Sequence, residues 1–257
     1  MRDLIRRLMG AQPKAMQMRS RIIIPEGQVY DIYAIGDVHG CLDLLVAVEE
    51  RIRWHSANRK TPALIVMLGD YVDRGSQSRG VIQHLTRTPE PPFQRLCLCG
   101  NHDDAFLSFI LNDDFDPAWL GFGGLTTLQS YGVDAEGLLD RDPAGQTLMR
   151  AVREAVPKAH IDFLRTLPIS ISIGKYLFVH AGIVPGVRLS QQSDFDMLWI
   201  REPFLTRGPE LDLMVIHGHT PDDDFQYGIG RIGIDTGAFA TGKLKALYIG
   251  TSGIEEI

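Results

Sequence analysis

Six times along this chain, a short apolar run ends at Asp, Asn or His, in four cases just after a glycine. The runs are IYAIGDVHG at 32–40, ALIVMLGD at 63–70, RLCLCGNHD at 95–103, YLFVHAG at 176–182, LMVIHGHT at 213–220 and RIGIDTGA at 231–238. Runs of four to seven apolar residues bounded by turn signals predict buried strands. Between the early ones lie helical patterns, LDLLVAVEERIRWHSA at 42–57 and RGVIQHLTRT at 79–88. The first three strand exits are about thirty residues apart, the length of a strand–helix–strand unit. Such units make parallel strands whose carboxyl ends share one edge, and in open α/β sheets ligands bind outside those ends. The pattern predicts six polar motifs converging on one site.

From about 104 to 168 the pattern changes. AFLSFILNDD reads as a helix and GFGGLTTLQSYG as turn-rich; GQTLMRAVREAVPKAHIDFLRTLP carries Leu148, Val152, Val156, Phe163, Leu164 and Leu167 at helical spacing, with a break near Pro157. A helical insertion beside the sheet is expected there. ISISIGKYLFVH at 169–180 predicts a hairpin turning at Ile173-Gly174-Lys175. With neither repeats nor a long low-complexity linker, residues 29–257 read as a single domain. Residues 1–28 read as a flexible basic arm, in which Arg2, Arg6, Arg7, Lys14, Arg19 and Arg21 stand against Asp3. Within it Leu4, Ile5, Leu8 and Met9 can form a short apolar helical stripe, but a frayed arm is the simpler expectation.

Composition narrows the function classes. The 257 residues are 44% hydrophobic, as in ordinary soluble proteins, and the net charge of −6 argues against a nucleic-acid binder held by a basic surface. No stretch approaches the roughly 20 apolar residues of a spanning helix, and no apolar segment precedes a small-residue cleavage site. Cys41, Cys97 and Cys99 are an odd number and suggest reduced thiols. A cytoplasmic protein without a membrane span is expected, and its oligomeric state is left open. Cys97 and Cys99, two apart on a strand, read as small buried hydrophobes rather than a metal pair.

The strand exits supply Asp37, His39, Asp70, Asn101, His180 and His219. Carboxylate, amide oxygen and imidazole are the ligand types for a pair of divalent metals, with manganese first and iron or zinc as the other candidates. Asp37 and His39 can approach one ion, while Asn101, His180 and His219, from three later exits, suit a second. Asp70, between them in chain order, can bridge. Glycine before each Asp removes bulk at a sharp turn. Arg74 offers a planar fork for phosphate oxygens. His102 is placed to donate a proton, and Asp73 to orient and charge it. Two metals outweigh Asp37, Asp70 and a shared hydroxide, so an anionic substrate is expected at a site more positive than the chain as a whole.

GDVHG, GDYVDRG, GNHD, HAG and GHT, in this order, resemble the signature set of the phosphoprotein phosphatase family of binuclear metallophosphoesterases. The likeness is greatest to its bacterial and bacteriophage lambda type serine/threonine protein phosphatases. It runs from about residue 30 to 250 and includes GHTP at 218–221, LWIRE at 198–202 and IDTGA at 234–238. The resemblance implies an α/β, calcineurin-like metallophosphoesterase fold: a central β-sandwich of mixed sheets flanked by α-helices. It also implies two divalent metals and direct attack on phosphorus by a metal-bridging hydroxide. Position by position, Asp37, His39 and Asp70 match one metal's ligands, and Asp70, Asn101, His180 and His219 the other's. Arg74 and Arg201 match the phosphate-binding arginines, with Asn101 beside them, and His102 and Asp73 match the acid and its partner. The implied substrate is a phosphorylated protein or peptide, on serine, threonine or also tyrosine, or a small phosphoester.

Ordinary readings compete with each residue singly, since an Asp after Gly is usually a turn residue. All of them falling on strand ends by chance is improbable. His217 is expected to support the site from behind His219. His55, His84 and His160 read as surface or packing residues, and Asp222, Asp223 and Asp224 as a solvated loop that can also repel highly anionic substrates. A symmetrical dinucleoside tetraphosphate hydrolase is the nearest rival, sharing GDVHG, GNHD and HAGI. Those enzymes commonly lack the acid that Asp73 supplies here, and their last motif usually departs from GHT. A non-catalytic binding module should lack a ligand or an arginine, and none is missing.

Overall fold

The computed structural model describes residues 18–25, 30–251 and 253–257. Its strands are β1 (Arg21–Ile24), β2 (Asp31–Ile35), β3 (Ala63–Met67), β4 (Gln94–Cys97), β5 (Ser170–Ile173), β6 (Tyr176–Val179), β7 (Met214–His217), β8 (Gln226–Gly228), β9 (Arg231–Gly233), β10 (Ala246–Gly250) and β11 (Gly253–Glu256). Helices α1 (Leu42–Ser56) and α2 (Ser78–Leu85) connect β2 to β3 and β3 to β4. After β4 comes α3 (Asn101–Leu111), and the chain is then mostly helical until β5.

The strands do not form one parallel sheet. They form two mixed sheets, ordered β11-β10-β2-β3-β4 and β1-β5-β6-β7-β9-β8. β2, β3 and β4 run parallel in the first, and β6, β7 and β9 in the second. The reason lies at the hairpin. Ile173 pairs with Tyr176, so β5 turns back on β6 instead of crossing over through a helix, and a second sheet begins. This is the sandwich flanked by helices that the resemblance implies.

Period-two alternation decides which side chains face which layer. Ile32 and Ala34 of β2, with Leu64 and Val66 of β3, meet Ile171, Phe178, Ile216 and Ile232 between the sheets. Tyr33, Ile35, Ile65 and Met67 point the other way, into the core shared with Leu45, Val48 and Ile52 of α1 and Val81 and Ile82 of α2. β2 and β3 are buried on both faces, which is why they read as unbroken apolar runs. Cys97 and Cys99 join this helix-side core.

The basic arm expected over 1–28 needs correction in its described part. Ile22, Ile23 and Ile24 belong to β1, which pairs in parallel with β5 at the sheet edge. Arg19, only 8% exposed, sends Nη2 to Asp104 Oδ1 (2.8 Å) and Nη1 to the carbonyls of Leu164 (3.0 Å) and Leu167 (3.1 Å). Arg21 Nη2 donates to Asp194 Oδ1 (2.8 Å) and Gln192 O (2.9 Å). Two arginines that read as solvated charges are the pins that dock an edge strand, because each finds acceptors far away in sequence. The stripe at Leu4, Ile5, Leu8 and Met9 lies outside the described residues. No helix among those described is long and apolar enough to cross a membrane.

Arg19→Ala would strip two buried carbonyls of a donor and leave Asp104 without its partner. Unfolding free energy should fall by about 2–3 kcal/mol, read as a lower urea midpoint at constant slope. A shift below about 0.5 kcal/mol would mean that β1 docks without this pin.

Candidate functional site

Asp37, Asp70, Asn101, His180, His219 and Asp235 each follow a strand by a few residues, so the carboxyl ends of both parallel triplets contribute to one region. The loops meet backbone to backbone. Gly69 has φ +106°, and a side chain there would collide with the Gly100 amide, while one on Gly100 would run into the Asp70 carboxylate. Glycine before the polar residue is thus a packing requirement between two motifs, besides a relief of bulk within one. Asp103, fully buried, ties them: it accepts the amides of Gly100 (2.9 Å) and Asp70 (2.8 Å) on Oδ2 and that of Tyr71 (2.9 Å) on Oδ1. The His102 amide donates to Asp70 Oδ1 at 3.0 Å.

Two groups of side chains can each surround a cation: His39, Asp70 and His102, and Asp70, His180 and His219. Their ligand atoms lie within 4.8 Å of one another, and Asp70 belongs to both. His39 Nδ1 donates to Val72 O (2.8 Å) and His180 Nδ1 to Leu68 O (3.0 Å), which leaves each Nε2 bare and 3.5 Å from an Asp70 oxygen. Imidazoles held this way by carbonyls are oriented for a metal. Asn101 Oδ1 lies 2.8 Å from His180 Nε2 and 2.9 Å from His219 Nδ1. With the amide oxygen turned inward, its lone pair faces the bare Nε2 of His180, and a cation between them resolves the conflict. Asn101 Nδ2 and His219 Nε2 are buried without a hydrogen-bond partner. Asp37 lies beside them but in neither group: its carboxylate accepts the His219 amide (3.1 and 3.2 Å) and abuts Asp235.

Charge and burial conflict here. Burial, followed by the charge of Asp235, drives Asp37 well above the usual carboxylate range, and burial pushes Asp70 up to about 6 and Asp103 to about 7. The same burial lowers His180 and His102 to about 4 and takes His39 and His219 well below the ordinary 6.5. Crowded buried carboxylates facing neutral imidazoles make a donor set that fits divalent ions. The charge count made from sequence omitted Asp235, whose part in IDTGA had no role assigned.

His102 Nδ1 lies 2.6 Å from Asp73 Oδ2, and its Nε2 faces Asp70 Oδ2 (4.0 Å) and Arg74 Nη2 (3.4 Å). A contact this short holds a proton between the pair. Burial, however, lifts Asp73 to about 7 and depresses His102, so the chain by itself does not charge the imidazole as the sequence suggested. Arg74 is exposed, its guanidinium 4.7 Å from the Phe239 ring centre, and half-buried Arg201 reaches the His219 carbonyl at 3.5 Å. Both arginines border the histidines.

Sequence reading missed Asp103, Asp235 and an aromatic border. Phe122 stacks on His102 (4.0 Å, 6°), Trp199 stands edge-on to His219 (6.1 Å) and Phe239 edge-on to His39 (5.6 Å). Asp103 in GNHD, Asp235 in IDTGA and Trp199 in LWIRE lay inside quoted motifs without a role; Phe122 and Phe239 carried no signal. His217 is buried against Phe204 and 3.4 Å from Arg231 Nη1, outside both ligand groups. His55 and His84 pair with Glu255 and Glu49, and His160 with Tyr131. Asp222, Asp223 and Asp224 are exposed.

A sequence profile of the calcineurin-like phosphoesterases matches residues 30–238. The serine/threonine-protein phosphatase 2 of Salmonella typhimurium is 27% identical over 229 residues, 85% of this chain and 92% of that protein. The symmetrical bis(5'-nucleosyl)-tetraphosphatase of Neisseria meningitidis is 28% identical over 159 residues, or 62% of this chain. The match spans only 46% of that relative's length. A crystal structure described as a diadenosine tetraphosphatase superposes with a TM-score of 0.62 at 20% identity, over 93% of this chain and 97% of that one, a likeness of fold alone.

In the metal-free chain, the two sets of groups move stability in opposite directions. Neutral buried histidines favour the fold above their ordinary 6.5, and that contribution is lost as pH falls toward about 4. Raised carboxylates favour it below their ordinary 3.8, and that contribution is lost as pH rises through about 6 to 7. Above 6.5 only the carboxylates still change, so chelated protein should lose Tm from about pH 6.5 to about 8. Asp37→Asn should shrink the Tm gain from added manganese. A level or rising Tm in thermal scans across the interval would contradict this charge balance.

Proposed function

The chain belongs to the calcineurin-like phosphoesterase family, and from that membership we propose a metal-dependent phosphomonoesterase that acts on phosphoserine and phosphothreonine in proteins, with phosphotyrosine as a further substrate. Asp37, His39 and Asp70 would hold one divalent ion, and Asp70, Asn101, His180 and His219 the other, with manganese as the first choice. When bound, such a pair supplies Lewis acidity toward phosphoryl oxygens and activates water at neutral pH.

The chain's own groups do the rest. Arg74 and Arg201 grip phosphate oxygens with planar forks, and the unpartnered Asn101 Nδ2 offers a further donor. The observation that carries the reading is the 2.6 Å contact between His102 and Asp73. It fixes Nδ1 toward the carboxylate and turns Nε2 to the reacting side, where a dianionic phosphoester opposes the lowering caused by burial and favours a proton on Nε2. That proton matters only for a basic leaving group. A serine alkoxide leaves poorly unless protonated, whereas a nucleoside diphosphate leaves as a stable anion. An oriented acid therefore favours a phosphomonoesterase over a dinucleoside tetraphosphate hydrolase.

Purified protein should hydrolyse phosphoserine and phosphothreonine peptides more efficiently than diadenosine tetraphosphate. Chelation should silence it and manganese restore it, and Asp70→Asn should lose both ions and nearly all turnover. Activity surviving exhaustive chelation would sink the metal assignment, and a preference for diadenosine tetraphosphate the substrate assignment.

His102→Ala should cost roughly 10²–10⁴-fold in kcat on phosphoserine peptides. On p-nitrophenyl phosphate, whose nitrophenolate departs unaided, the loss should be clearly smaller at unchanged metal content. Equal losses on the two substrates would remove the acid role from His102.

A further inference from the structure

Asp73 is held by the helical segment between β4 and β5. Trp119 Nε1 donates to Asp73 Oδ2 at 2.9 Å. Thr127 Oγ1 donates to Asp73 Oδ1 at 2.6 Å and accepts the Asp73 amide at 2.8 Å. None of Trp119, Thr127 and Asp73 is more than 2% exposed. Between the two donors, Phe122 lies parallel on the His102 ring, and the backbone there kinks at Gly123, whose φ is +118°. A single short stretch thus contacts both carboxylate oxygens and the amide of Asp73, together with one face of His102.

Asp73 needs such a hold. Its φ is +72°, a region that a residue with a Cβ seldom occupies unless its surroundings impose it. Thr127 secures both ends of the residue, and Trp119 fixes the oxygen that His102 uses.

We infer that Trp119 and Thr127 are positioning residues for the Asp73–His102 pair, so that the helical segment, not the sheet, sets how well a proton reaches the leaving group. This rests on the phosphomonoesterase reading with His102 as acid. Trp119 also packs against Phe106 (5.1 Å) and Phe109 (4.8 Å), so a purely structural role would show as lost stability or uniformly lost activity.

The test uses metal-loaded enzyme carrying Thr127→Val, Thr127→Ser or Trp119→Phe. Valine keeps the shape and removes the hydroxyl, serine keeps the hydroxyl, and phenylalanine keeps an aromatic ring without the N–H. Thr127→Val and Trp119→Phe should lose kcat about tenfold or more on a phosphoserine peptide, with KM within about twofold. Their loss on p-nitrophenyl phosphate should be clearly smaller, and Thr127→Ser should restore most of the activity. Should Trp119→Phe fail to fold, the Thr127 pair carries the test. Equal losses on both substrates, or none, with metal content and Tm unchanged, overturn the positioning role. His102→Ala is measured in parallel. If it shows the leaving-group dependence and Thr127→Val does not, the inference alone falls; if it loses both substrates alike, the acid reading falls and takes the inference with it.

Discussion

Three backbone amides converging on the Asp103 carboxylate hold the exit of β3 against the start of α3. Without that contact, Gly69 and Gly100 would have no reason to touch, and Asp70 none to adopt φ +53°. His39, Asp73, Arg74 and His219 also have positive φ, and among the described residues only Glu210 joins them without being glycine. Strain of this kind persists where neighbouring hydrogen bonds over-determine the backbone. Here those bonds come from Asp103, Thr127 and Asp37, all buried, so the site is built on backbone geometry that no single loop would choose.

The same burial that shields those bonds makes the site electrostatically unsettled. Asp37, Asp70, Asp103 and Asp235 lie within each other's influence in a region that also neutralises its histidines. A chain with a net charge of −6 concentrates several carboxyl groups where water cannot solvate their charged forms. Bound cations would relieve that arrangement.

Most of the site's positions were legible because a strand that ends in glycine and then a ligand-type residue is a local pattern. Asp37, Asp70, Asn101 and His219 carry it, His180 follows its strand directly, and the fold brings them together. The supporting residues were not legible, because their partners are remote: Trp119 and Thr127 reach Asp73 across 46 and 54 positions. Asp103 stood at the end of GNHD, but nothing local shows that its carboxylate takes the amides of Asp70 and Tyr71 from another loop. The two-sheet architecture came from the family resemblance, since strand spacing alone suggested one sheet. β1 was misread because three isoleucines beside several arginines resemble a solvated tail until Asp104, Asp194 and two helix-end carbonyls are known to surround them.

β2 lies at the centre of its sheet, yet one of its two neighbours is β10, with Ala34 opposite Leu247, and β1 likewise pairs with β5. On the ribosome these early strands emerge long before their partners. β2 and β3 can associate at once, but the sheet keeps an open edge at β2 until β10 has been made. Vectorial synthesis therefore holds a doubly apolar strand exposed while everything between β3 and β10 is made, the situation in which nascent chains call on chaperones.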